Sequence, residues 1–136
     1  MQANLIQEVC GVSNYIKQWL SLRDKERKIS AALEEALRGV SHGISVNEFY
    51  ALYFLHKSES EELRMSDLSQ RIGLSLSATS RLLSRFETNC HVIERIACAD
   101  DKRGVEVRLT QVGQDVLEEA LKKVNEVLAN YEADLL

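Results

Sequence analysis

The 136-residue sequence contains no proline. Proline ordinarily makes up about 5% of a chain. It interrupts helices by removing a backbone donor and clashing with the preceding turn, so its absence favours long unbroken helices. Long apolar runs are missing too: none approaches the ~20 residues that span a bilayer, so no membrane association is expected. Cysteine is scarce, with only Cys10, Cys90 and Cys98. An odd count without paired spacing excludes a disulfide framework and suits reduced thiols in the cytoplasm. Cys90, His91 and Cys98 also lack the C-x2-C or H-x3-H spacing of a zinc site, so neither metal nor cofactor is expected. The opening MQANLIQEVC has no basic n-region and no small-residue cleavage site, and does not read as a secretory signal. No nucleophile–base constellation or phosphate-cradling loop occurs, so the chain is not expected to be an enzyme.

What is present suits one folded domain, because 45% hydrophobic residues can bury a modest core. The net charge of −4 argues against nucleic acid on average. However, eight basic and six acidic side chains lie between Arg64 and Arg108, leaving the excess acid to the rest of the chain. That asymmetry is compatible with a nucleic-acid face and with an ordinary mixed surface alike.

Periodicity is more informative. Leu5, Val9, Val12, Ile16 and Trp19 recur at alternating spacings of 4 and 3, the narrow seam of an amphipathic helix. After a phase slip, Leu22, Ile29, Leu33, Leu37 and Val40 form a second stripe. The pattern predicts one long bent helix or two, ending near Gly39 and Gly43. This stripe serves either the core or a partner chain. Ser45 and Glu48 then form an S-x-x-E capping box, with Ile44 and Phe49 placed as a hydrophobic staple. Phe49, Leu52 and Leu55 or Phe54 continue that helix's apolar face, and residues 56–63 (HKSESEEL) read as a loop or frayed end.

Two helices follow in close succession. Ser66 is placed to cap the first, Leu68 and Ile72 face inward, and Gly73 stops it. After Leu74, Ser75 caps the second, which buries Leu82, Leu83 and Phe86. Its outer face offers Ser77, Thr79, Ser80, Arg81, Ser84 and Arg85. A short helix, a glycine turn and a helix rich in hydroxyls and arginine have the layout of a helix-turn-helix. Hydroxyls bond phosphates or base edges at close range, and arginine forks onto guanine. Next, VIERIACA and VEVRL read as two strands about a charged turn, with Val105, Val107 and Leu109 on one face. A hairpin after the second helix is a wing, with Lys102 and Arg103 at its tip for the minor groove; Asp100 and Asp101 would repel phosphates, and an aspartate here can bond turn N–H groups and hold the neighbouring arginine. The expected fold is mainly α with a small β-hairpin wing: a winged helix-turn-helix plus N- and C-terminal dimerisation helices. Thr110 caps the last helix, striped by Val112, Val116, Leu117, Leu121, Val124, Leu128 and Tyr131.

Over residues 44–113 the sequence resembles the MarR family of bacterial transcription regulators. GLSLSATSRLLSRFE (73–87) follows the family's turn and recognition helix. Asp101-Lys102-Arg103, then Arg108-Leu109-Thr110 and Gly113, follow its D-x-R wing and L-T-x-x-G continuation. ISVNEFYALYFL resembles its LTxxQFxVLxxL helix, with Glu48 where glutamine is common. The resemblance implies a homodimer on a pseudo-palindromic operator in double-stranded DNA, repressing transcription until a small ligand or thiol oxidation releases it. It assigns DNA contacts to Ser75, Ser77, Thr79, Ser80, Arg81, Ser84 and Arg85 on the recognition helix, and to Asp101, Lys102 and Arg103 on the wing. Arg95, beginning the wing's first strand, is structural or touches phosphate. The chain departs from the family at FETNCHVIER, one residue longer at the helix exit, where Asn89 tolerates a left-handed backbone. Ala78 and Thr79 replace the common T-V pair. The usual further C-terminal helix is missing, so dimerisation would rest on the first and last helices.

These readings divide the chain into a dimerisation region (1–43), a DNA-binding lobe (44–110) and a C-terminal helix (111–136). Within the lobe, the recognition helix spans about 75–88 and the wing about 93–109. Cys10 with Tyr15 resembles the peroxide-sensing branch of the family, although a cysteine on an apolar helix face is more often simply buried. Trp19, Tyr50, Tyr53 and Phe54 line the family's ligand cleft, implying an aromatic or phenolic effector; core packing accounts for them equally well. The rival function is a winged helix that binds only protein, which the acidic total charge would suit.

Overall fold

The structure, a computed structural model, describes residues 15–41, 43–88, 91–97 and 104–136. Six helices and a three-stranded sheet follow one another along these segments. Helix α1 (Tyr15–Leu37) runs 23 residues without a break, so Leu22, Ile29, Leu33 and Leu37 of the second stripe share one helix, and Val40 lies in the turn beyond it. Its Leu33 and Leu37 are buried, whereas Ile16, Trp19, Leu20 and Leu22 are all at least half exposed. The backbone turns after Leu37, and Gly43 takes a left-handed φ of 57° before the chain re-enters the core at Ile44.

Helix α2 (Val46–Lys57) begins with the full capping box. Ser45 Oγ accepts from the Glu48 N–H at 3.1 Å, and Glu48 Oε1 accepts from the Ser45 N–H at 2.8 Å. Ile44 and Phe49 are both buried beside it, as a staple requires. A second acid assists from α1: Glu34 Oε2 accepts from the Val46 N–H at 3.0 Å. Phe49, Leu52 and Leu55 carry α2 into the core.

Residues 56–63 are more ordered than a frayed end. A 3-10 turn (Glu59–Glu61) leads into strand β1 (Glu62–Arg64), which pairs antiparallel with β3. Helix α3 (Met65–Ile72) starts two residues earlier than a Ser66 cap would place it, and Ser66 is not its cap. Arg64 occupies that position without a side-chain bond, while Ser66 lends its carbonyl to the Ser69 hydroxyl. Strand β1 delivers the chain directly into the helix, and this overrides the local preference for serine. Helix α4 (Leu76–Thr88) follows, then β2 (Ile93–Ala97) and β3 (Val105–Leu109). The sheet order β1-β3-β2 puts β3 in the middle. The expected mainly helical fold with a small wing is therefore present, with one additional strand at the wing's root.

Helix α5 (Gln111–Ala129) packs across α1 and α2, and a short turn of helix, α6 (Glu132–Leu135), ends the chain. Thr110 caps α5 by accepting from the Gly113 N–H at 3.0 Å, and its hydroxyl donates to the Val92 carbonyl at 2.9 Å. Val116, Leu117 and Val124 are buried as the stripe predicts, but Val112 is 43% exposed. It sits in the first turn of α5, ahead of the crossing point.

Gly113 marks a close crossing. A Cβ there would stand 2.2 Å from the Val92 carbonyl oxygen and 2.5 Å from Leu109 Cδ1. The Gly113→Ala variant should therefore lose about 1–3 kcal/mol in urea unfolding, since backbone must move to admit the methyl group. Gly39→Ala is the control, because its Cβ would meet only the Ala36 oxygen at an ordinary 3.5 Å.

Candidate nucleic-acid interface

The turn between α3 and α4 is built from three residues. Gly73 ends α3 in the left-handed region, at φ 87° and ψ 27°, and its N–H returns to the Ser69 carbonyl. A side chain at Gly73 would meet no atom within 4 Å, so φ rather than space calls for glycine. Leu74 bonds the same carbonyl at 3.0 Å, and Ser75 Oγ accepts from the Ala78 N–H at 3.1 Å. These contacts fix the angle at which α4 leaves the lobe.

Not every hydroxyl on α4 faces outward. Thr79 is fully buried and its hydroxyl donates to the Ser75 carbonyl at 2.9 Å. It lies four and seven residues before Leu83 and Phe86, on their stripe, and this corrects its placement on the outer face. Ser75, Ser77, Arg81 and Ser84 are exposed. Arg81 has no hydrogen bond or ion pair among the described residues. Ser77 approaches only the Ser75 hydroxyl, at 3.4 Å.

The other two arginines are engaged internally. Arg85 Nε donates to Glu48 Oε2 at 2.9 Å, while Nη2 reaches both Glu48 Oε1 and the Gly43 carbonyl. Its expected place on the DNA-facing surface therefore needs correction: the guanidinium turns back to the N-terminus of α2, where a buried carboxylate requires a counter-charge. Arg95 leaves β2 and clasps α4. It donates from Nη1 to Ser80 Oγ at 3.0 Å and from Nη2 to the Ser80 carbonyl at 2.7 Å. Nη2 also approaches Ser84 Oγ at 3.4 Å, and Nε pairs with the Glu87 carboxylate. Of the two roles expected for Arg95, this geometry performs the structural one, fastening the wing to the recognition helix. Between them lies a cavity of about 400 Å³ bordered by Leu76, Ser80, Gly104 and Val105.

Asp101, Lys102 and Arg103 lie outside the described residues, as do Cys10, Asn89, Cys90 and Cys98. Among the described residues at the helix exit, His91 is left-handed, with φ 51°. Among the described residues, no group of three metal-ligating side chains converges, and no helix is long and apolar enough to cross a membrane.

The expected sensing residues separate. Tyr15 and Trp19 stand on the exposed half of α1. Tyr50, Tyr53 and Phe54 stack along α2 at centroid distances of 6.0–6.4 Å. Of these five, Tyr50 lines an apolar cavity of about 350 Å³ between α1, α2 and α5. Burial, followed by the nearby charges of Glu26 and Glu34, pushes its phenol above the ordinary tyrosine value.

A helix-turn-helix whose second helix is fastened to a β-hairpin defines a winged helix, a class that presents one helix and one β-ribbon to a duplex. Residues 42–104 match the model of the MarR family. The HTH-type transcriptional regulator YsmB of Bacillus subtilis, itself uncharacterised, is 27% identical over 104 residues, 75% of this chain and 69% of that one. The structure of AbsC, a MarR family transcriptional regulator from Streptomyces coelicolor, superposes with a TM-score of 0.78 at 28% identity, over 88% of this chain and 78% of its own. Sco3205, a MarR family regulator from the same organism solved in complex with DNA, gives 0.78 at 25% identity, over 87% and 72%. Over residues 42–104 the chain is similar to the MarR family of winged-helix transcriptional regulators.

The two arginines of α4 should separate by stability. Arg85→Ala leaves the Glu48 carboxylate, only 8% exposed, without its partner. The expected loss is about 2–3 kcal/mol, less than for a fully buried pair because Arg85 is itself partly solvated. Arg81→Ala should stay within about 0.5 kcal/mol of the parent. Denaturant unfolding of the two variants side by side checks this.

Proposed function

We propose that the chain binds a pseudo-palindromic operator in double-stranded DNA as a homodimer and represses transcription there. The observation that carries this reading is the outward presentation of Arg81 and Ser77 on a recognition helix whose remaining arginine is committed internally. Arg81 supplies the forked donor for a guanine edge or a phosphate, and Ser77 a short-range donor and acceptor. Lys102 and Arg103, with Asp101 in support, enter the minor groove from the wing tip. The exposed apolar half of α1 packs against its counterpart in a second copy, which spaces two recognition helices along the duplex.

Release follows when a small molecule occupies the cleft at Tyr50, or when a thiol such as Cys10 is oxidised. A contact route supports the first of these. Glu34 of α1 holds the first N–H of α2, and Glu48, three residues into α2, holds Arg85 of the recognition helix. A ligand that separates α1 from α2 therefore pulls on the helix that reads DNA.

Selection of bound duplexes from a random library tests this proposal. The parent protein should enrich an inverted repeat, with affinity falling steeply as salt rises. The double variant Arg81→Ala/Arg103→Ala should bind at least about thirtyfold more weakly, since each such contact contributes about 1–3 kcal/mol. An asymmetric enriched site would remove the dimer and keep the regulator. Absence of any enriched site with folded protein would instead favour a winged helix that binds protein alone.

A further inference from the structure

We propose that the cavity between α1, α2 and α5 selects a cationic aromatic amphipath, an arylalkylammonium, over the corresponding acid. The proposal rests on the effector reading above and specifies the chemistry of that site.

Ile29, Leu33, Phe49 and Leu128 supply apolar walls, and about 350 Å³ accommodates a single aromatic ring with a short chain. Charge at the rim is one-sided. Among the described residues Lys25 is the one cation in the lining, and Asp134 offsets it at 3.5 Å. Glu26 remains, held in place by the Ser30 hydroxyl at 3.0 Å and with no cation paired to it among the described residues. Glu34 adds a second carboxylate behind Tyr50, its Oε2 engaged by a backbone N–H rather than by a cation. The raised pKa of Tyr50 reports the same negative field at the cavity wall, beyond the effect of burial.

An ammonium entering this space meets Glu26 beside the aromatic rings of Phe49 and Tyr50, an arrangement that favours cations. A carboxylate of the same size meets the same groups with the opposite sign and forfeits its hydration. The charges of the wall thus discriminate between ligands that the apolar surface would accept equally.

Isothermal titration of the full chain with 4-hydroxyphenethylammonium and with 4-hydroxyphenylacetate tests the inference, the two probes sharing a ring and differing in charge. The ammonium should bind about tenfold tighter or more. Glu26→Gln should erase that preference. Asp134→Asn, by freeing Lys25, should shift it toward the acid. Both substitutions fall on the rim, away from the buried core. Equal or tighter binding of the acid by the parent, or a preference that survives Glu26→Gln, would overturn the charge selectivity and leave the effector cavity standing. Binding of neither probe would overturn both together.

Discussion

The carboxylate of Glu48 is the point at which the molecule's two halves are joined. One oxygen closes the capping box on Ser45, and the pair together receive the Arg85 guanidinium from a helix 37 residues further along. Arg85 in turn donates to the carbonyl of Gly43, the residue whose left-handed backbone brings the chain into α2. A cap on its own contributes about 1 kcal/mol. Here the same group also holds α4, so a loss at the start of α2 is felt in the second helix of the helix-turn-helix. Glutamate and the commoner glutamine at this position are not equivalent: the amide can close the capping box but gives arginine no charge.

Fastening extends to the other side of α4. Arg95 takes up Ser80 through both its carbonyl and its hydroxyl, and Thr110 ties the root of the hairpin to the first turn of α5. A helix whose composition reads as a bank of free hydroxyls has most of them committed. Ser75 caps, Thr79 is buried, and Ser80 and Ser84 hold the wing. Few outward groups are left to read bases, so much of the recognition helix's chemistry serves rigidity, which a precise reading surface requires.

Legibility in the sequence followed range. The capping box, the glycine stop at Gly73 and the Thr110 cap all act within three or four residues, and each forms as its spacing predicts. The burial of Thr79 was also available, since it shares a helical stripe with Leu83 and Phe86, but a run of hydroxyls masked the period. The Glu48–Arg85 and Arg95–Ser80 contacts were not available, because both partners carry sound local explanations of their own: a cap, a DNA contact, a strand opening. Strand β1 was hidden for a different reason. Three residues are too few to show alternation, and Glu62–Arg64 becomes a strand only because β3 offers it an edge.

That third strand has a consequence for solubility. With β3 enclosed on both sides, the sheet ends in strands of three and five residues. Glu62 on the short one is pinned across to Arg108 at 3.2 Å, and β2 carries Glu94 and Arg95 side by side. Brief, charged margins of this kind make poor templates for another chain's backbone. Backbone pairing between copies is thereby discouraged at the sheet.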